Sequence, residues 1–256
     1  MILSKSKAII GIVVLCVILS SCTKFRCVTC NSYIRGYYKI EKVSLTPGSV
    51  TLESGEEYYK IIVDYNKITW LSSVFHTTRN DNGMYEQYCI EHNDVSYVTR
   101  RFRVGRPDNY SEECYPAYDF VEIDVTTSYG WDESHPEGSS LNDMTEFAAL
   151  SVQPFISSGY KECDYESVTL TDFFLEAFYP ISAEYGTSPW YPVQKKLSEM
   201  SSGEFSLLGD GHHAIHQWPQ ICCLYLPKSE SADRHKVTVS LKVSNGDVLS
   251  STVELD

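Results

Sequence analysis

Nowhere does the chain carry the ~20 consecutive apolar residues that a bilayer-spanning helix needs. Its longest such run, Ala8 to Leu19, is twelve residues. Basic residues are scarce too, 21 Lys and Arg against 34 Asp and Glu. A surface this acidic repels phosphate backbones and anionic headgroups, which argues against nucleic acid as a partner. No G-x-S-x-G occurs, so the nucleophile-elbow signature of α/β-hydrolases is missing. There is no internal repeat and no linker-like stretch, which favours one domain over two. Disorder is excluded in turn, because 43% of the residues are hydrophobic.

What is present begins at the N-terminus. Lys5 and Lys7 precede the twelve-residue apolar run, the length of a signal-peptide core rather than of a membrane span. The run ends at Leu19-Ser20-Ser21-Cys22, which resembles the lipobox of bacterial lipoproteins: small residues beside the cut, and a thiol to acylate. The resemblance implies cleavage between Ser21 and Cys22 and a lipid on Cys22. Several acyl chains bury enough CH₂ groups, at ~0.8 kcal/mol each, to hold a protein stably on a membrane. Residues 1–21 are thus expected as signal peptide, 22–36 as lipidated tether and 37–256 as a single β-rich domain. Loss of Lys5 and Lys7 with the leader leaves 19 basic and 34 acidic residues, a formal charge of −15. The lipid must therefore do the membrane work.

Nineteen tyrosines and four tryptophans suit both sheet faces and binding surfaces. Cys16 leaves with the leader and Cys22 is acylated, so seven cysteines remain: Cys27, Cys30, Cys89, Cys114, Cys163, Cys222 and Cys223. An odd number leaves at least one unpaired. A disulfide between Cys89 and Cys114 is one expectation for an exported chain. Cys222 and Cys223 are expected on opposite faces of a strand.

From Tyr37 on, short alternating runs are broken by turn residues. Strands are expected over 37–46, 57–65, 67–77, 96–104, 119–128, 146–155, 167–180 and 221–226. Residues 192–200 read as a helix, with Pro192 in the first turn and Val193, Leu197 and Met200 at i, i+4 and i+7. The last two runs, 236–243 and 248–255, flank Asn245-Gly246 and predict a type I′ hairpin, which with 221–226 would make three antiparallel strands. The expected fold is mainly β, an antiparallel β-sandwich with one or two short helices.

Between two apolar runs lies Asp132-Glu133-Ser134-His135-Pro136-Glu137-Gly138-Ser139-Ser140-Leu141-Asn142-Asp143. It resembles the His-Pro-x-Gly…Leu-Asn-Asp stretch of a family of uncharacterised Bacteroidetes lipoproteins, and the closing Asn-Gly hairpin resembles the end of those proteins. Glu137 departs from the small residue of that pattern. The resemblance implies a cell-envelope location and no chemistry. Physically, Pro136 favours extended backbone before it, Gly138 permits a bend, and Asn142 or Asp143 can bond local backbone. The segment reads as a rigid clasp or, in the alternative, as a binding loop carried by His135, Asn142 and Asp143.

The densest polar cluster is Gly209-Asp210-Gly211-His212-His213-Ala214-Ile215-His216. On a helix His212 and His216 would share a face, as in HExxH zinc enzymes. His213 replaces the catalytic glutamate, so a metal held by Asp210, His212 and His216 would be non-catalytic; the plainer alternative is a polar loop. Cys27-Val28-Thr29-Cys30 has redox spacing without the strand-to-helix setting, and reads as a small disulfide or two tether thiols. Glu112-Glu113 and Asp132-Glu133 carry no acid–base information in so acidic a chain. The expectation is therefore a non-catalytic envelope lipoprotein, without cofactor, that binds a glycan, peptide or protein. The alternative is a hydrolase whose site is assembled from distant residues, with or without a metal held by His212 and His216, and a fimbria-like subunit is a weaker third. Thr23 in place of aspartate after Cys22 points to the outer membrane. Lys24-Phe25-Arg26, in place of an acidic run, favours its periplasmic face over the cell surface.

Overall fold

The computed structural model describes residues 27–29, 32–73, 83–97, 101–103, 113–184, 187–209, 220–228 and 235–256. It is mainly β, with 49% strand against 17% helix, and forms a sandwich of two sheets. The short strand β1 (Cys27–Thr29) is followed by two long ones, β2 (Gly36–Thr51) and β3 (Glu57–Ser73). Next come the helix α1 (Met84–Glu91) and the strands β4 (Arg101–Arg103), β5 (Cys114–Pro116), β6 (Phe120–Thr127) and β7 (Glu146–Ser151). The helix α2 (Gln153–Ser157), the strand β8 (Cys163–Asp164), the helix α3 (Asp172–Glu184) and the strands β9 (Thr187–Ser188) and β10 (Tyr191–Lys196) follow. β11 (Gln220–Pro227), β12 (His235–Val243) and β13 (Val248–Leu255) close the chain.

The larger sheet has six strands in the order β10-β7-β11-β3-β2-β5, antiparallel except where β5 joins β2. The smaller runs β13-β12-β6 and is fully antiparallel. Between them lies an aliphatic core: Ile61 and Val63 of β3 and Leu224 and Leu226 of β11 meet Ile123 and Val125 of β6 and Val237, Val239 and Leu241 of β12. Each such side chain, fully buried, contributes ~1.5–3 kcal/mol.

The larger sheet is covered on its second face too. Phe174, Ala177 and Phe178 of α3, at i, i+3 and i+4, pack on Ala148 and Leu150 of β7 and on Cys223 and Tyr225 of β11. Farther along, Tyr85, Tyr88 and Cys89 of α1 and Phe155 and Ile156 of α2 form a tyrosine-rich cluster with Tyr33, Ile34, Tyr37 and Tyr115. β11 is thus buried on both faces, with Cys222 and Leu224 toward the inter-sheet core and Cys223 and Tyr225 toward α3.

Several local expectations are corrected. Residues 191–196 pair with β7 as a strand rather than forming a helix. Leu197 and Met200 mimic helical spacing because the 3-10 turn at Leu197–Glu199 sets them against the core. Residues 167–180 are not a strand: Thr171 caps α3 by accepting the Phe174 N–H on its Oγ1 at 3.2 Å. Pro180, which lacks an N–H, accompanies the non-helical Phe178 (φ −132°, ψ 18°) inside that helix. The strand expected over 146–155 stops at Ser151, where α2 begins. β11 lies in the larger sheet rather than beside β12. At the closing hairpin only Gly246 has positive φ (+92°), and its N–H donates to the Val243 oxygen. The turn is therefore a type I turn closed by a glycine bulge rather than type I′. The fold also begins before Tyr37: Ser32 to Tyr38 are all buried, and residues 27–29 pair with β4.

Candidate functional site

Among the described residues, polar and aromatic groups gather at several places, and the first is the loop between β6 and β7. It lies along the outer edge of β6, the edge not paired with β12. Leu141 N–H donates to the Val125 oxygen at 2.7 Å, and Gly138 N–H to the Thr127 oxygen at 2.9 Å. Asn142 behaves as one more strand residue: its Oδ1 accepts the Val125 N–H at 2.9 Å, and its Nδ2 donates to the Ile123 oxygen at 3.2 Å. His135 lies between two carboxylates, with Nδ1 2.8 Å from Asp132 Oδ1 and Nε2 3.0 Å from Asp143 Oδ1. His135, Asn142 and Asp143 are therefore brought together, with Asn142 turned to β6 and the other two in a separate network. The carboxylates occupy opposite sides of the ring, so they do not converge on a shared point as metal ligands would. Burial works against protonation of His135, but its hydrogen bonds to both carboxylates outweigh it and raise the pKa.

The second place is the tyrosine-rich end. Asp94, fully buried, accepts the Tyr33 N–H at 2.8 Å, the Ile34 N–H at 2.7 Å and the Tyr160 hydroxyl at 2.9 Å. Burial raises its pKa, while those three hydrogen bonds oppose the rise. Arg35 Nε meets Glu113 Oε2 at 2.6 Å beside it. His92 stacks on Tyr37 (5.5 Å, 11°), its Nδ1 3.7 Å from Asp119 Oδ2. Its buried Nε2 has no hydrogen-bond partner among the described residues. Cys89 lies one helical turn earlier, but burial raises its thiol pKa and suppresses the thiolate that nucleophilic chemistry needs. This end clamps the chain's entry into the fold.

The expected Cys89–Cys114 disulfide is not formed. Both thiols are free and buried, Cys89 in the tyrosine cluster and Cys114 in the inter-sheet core, and Cys114 is pushed up to about 12 by burial. Cys163, Cys222 and Cys223 are free and buried as well.

The third place escaped the sequence reading. Tyr38 and Trp70 are cross-strand partners, as are Ile40 and Ile68, so these side chains share a face of the β2–β3 ribbon. The Tyr38 ring lies 5.7 Å from Trp70 and 5.6 Å from Tyr65. Trp70 is 48% exposed, and Tyr65 and Ile68 are half-buried. A narrow cleft beside this ledge is lined by Tyr38, Pro116, Tyr118, Asn245 and Asp247. A signal was legible: Ile68-Thr69-Trp70 alternates at the end of a strand, placing a large ring where the inter-sheet core thins. A separate open groove of about 320 Å³ runs between α2 and β10, with the Lys195–Glu204 ion pair on its rim.

Ser21, Cys22, Asp210, His212, His216 and Cys30 lie outside the described residues. Among the described residues, no group of three or more His, Cys, Asp or Glu side chains is placed to hold a metal ion. No helix among them is long and apolar enough to cross a membrane. Compared with protein-family models, curated proteins and solved structures, the chain matches none.

Proposed function

We propose that the chain is a cell-envelope lipoprotein, anchored through Cys22, whose mature domain binds its ligand without transforming it. The half-exposed Trp70, set with Tyr65 and Ile68 on one sheet face around Tyr38, carries the binding part of this reading. Large flat rings on a rigid sheet suit the apolar faces of sugar rings. A formal charge of −15 after the leader disfavours anionic ligands, so an uncharged glycan chain is the ligand class. The anchor part rests on Leu19-Ser20-Ser21-Cys22 and on the resemblance of residues 132–143 to envelope lipoproteins. Thr23 favours the outer membrane, and Lys24-Phe25-Arg26 its periplasmic face.

Two experiments address the two parts separately. Radiolabelled palmitate should enter the wild-type chain in cells and not the Cys22→Ala variant; equal labelling of both would remove the anchor. An array of neutral and anionic oligosaccharides and peptides, probed with the mature chain, should return neutral oligosaccharides, and the Trp70→Ala variant should lose them. Retention of peptides alone would overturn the ligand class.

A further inference from the structure

The loop along β6 rests on a bridge that only one protonation state of His135 completes. Each ring nitrogen faces its own carboxylate, Nδ1 at Asp132 and Nε2 at Asp143. A neutral imidazole carries one N–H and can donate to only one of them; the imidazolium donates to both. Between the two arms of this bridge, residues 138–142 cover the strand edge. The Thr127 N–H donates to the Ser139 oxygen at 3.2 Å and the Val125 N–H to Asn142 Oδ1 at 2.9 Å. We propose that this loop is a proton-set latch: imidazolium His135 bridges Asp132 and Asp143 to hold residues 138–142 on β6, and loss of the proton releases one arm and lets the edge open.

The surrounding charges favour the closed form in mild acid. Glu133 and Glu137 belong to the loop itself, and Asp124 of β6 accepts the Ser140 hydroxyl at 2.7 Å. The cation brought by the neighbouring strand is Lys196, whose Nζ donates to the Asp143 carbonyl oxygen at 3.3 Å and leaves the carboxylate to His135. Because the folded pKa of His135 lies above its ordinary value of 6.5, the bridge is complete below 6.5 and is lost as pH rises through the folded value. Asp132 is held below its usual range by its hydrogen bond to His135, so it stays ionised throughout that window. An open latch bares the Val125 and Thr127 N–H groups and the Ile123, Val125 and Thr127 carbonyls, which a strand from a partner can pair.

Hydrogen exchange on the full chain in detergent micelles, read by mass spectrometry, tests this. Peptides covering 120–128 report the latch, and peptides covering 236–242 serve as reference. After correction for intrinsic pH dependence, exchange over 120–128 should rise about fivefold relative to the reference between pH 6 and pH 8, as expected for one partly exposed bridge. His135→Gln should exchange at the open rate at both pH values. Asp143→Asn, changed at a carboxylate 67% exposed, should flatten the pH dependence while the reference peptides stay protected. A wild-type ratio that does not move with pH, or an unchanged pH dependence in either variant, would overturn the latch.

Discussion

The two sheets bury their strands in different ways. In the smaller sheet one face meets the core and the other meets solvent, so β12 alternates strictly: Val237, Val239 and Leu241 inward, Thr238, Ser240 and Lys242 outward. On the outer face the hydroxyls pair across strands, Thr238 with Thr252 and Ser240 with Ser250, each at 2.9 Å. In the larger sheet β7 and β11 are covered on both faces, and every residue from Gln220 to Leu226 is buried. A strand with one wet face tolerates change on half its residues. A strand with none tolerates almost no change, and neither of its faces can meet a ligand. The half-exposed Trp70 sits where the larger sheet outruns its partner, at the end of β3.

The sharpest way to break this contrast is a matched pair of truncations. Leu224→Ala in β11, at a site with no exposure, should cost about 3.5 kcal/mol, whereas Leu249→Ala in β13, half-exposed, should cost about 1 kcal/mol. Urea unfolding reads both, and equal losses would contradict the difference in burial between the two sites. Next in size is Asn142→Ala, which strips β6 of two edge hydrogen bonds and should cost about 2 kcal/mol by the same measurement.

A smaller effect of opposite sign is expected at Asp64 in β3. Burial pushes its pKa up to about 6, and its buried Oδ1 has no hydrogen-bond partner among the described residues. The folded chain then holds this proton where the unfolded chain has lost it, so stability falls as pH climbs from the ordinary carboxylate range to about 6. Asp64→Asn should therefore stabilise the fold by about 1 kcal/mol at pH 7, after allowance for solvent screening at a half-exposed residue, and by nothing near pH 3. Thermal melts at the two pH values test the sign.

The same contrast explains what was legible in the sequence. Period-two alternation needs a wet face, so the closing hairpin could be read from residues 236–255, down to its Asn-Gly turn if not its turn type. Two-sided burial removes that signal. Residues 221–226 read as a strand, but nothing local placed them at the centre of the larger sheet instead of beside β12. The helix α3 hid behind β-prone residues in Val168-Thr169-Leu170-Thr171-Asp172-Phe173-Phe174. Its start was written in the Thr171 cap, and its buried face in Phe174, Ala177 and Phe178. β10 carries a helical pattern because Leu197 and Met200, set by a turn, fall at helical spacing. Of the candidate sites, His135, Asn142 and Asp143 stood out through turn chemistry and resemblance. Pairing is set by register across long sequence separations, so the bond of Asn142 to β6 and the neighbourhood of Trp70 with Tyr38 and Tyr65 could not be read locally.

The most direct measurement of the central claim sets ligand affinity against stability at Trp70. Calorimetric titration of the neutral oligosaccharide chosen by the array should give Trp70→Ala an affinity about five- to thirtyfold weaker than wild type, because one stacked ring carries ~1–2 kcal/mol of such a contact. Its melting temperature should stay within a few degrees of wild type, because a half-exposed side chain adds little to the core. Equal affinity in the two proteins would contradict the account, and so would a loss of binding that merely follows a loss of fold.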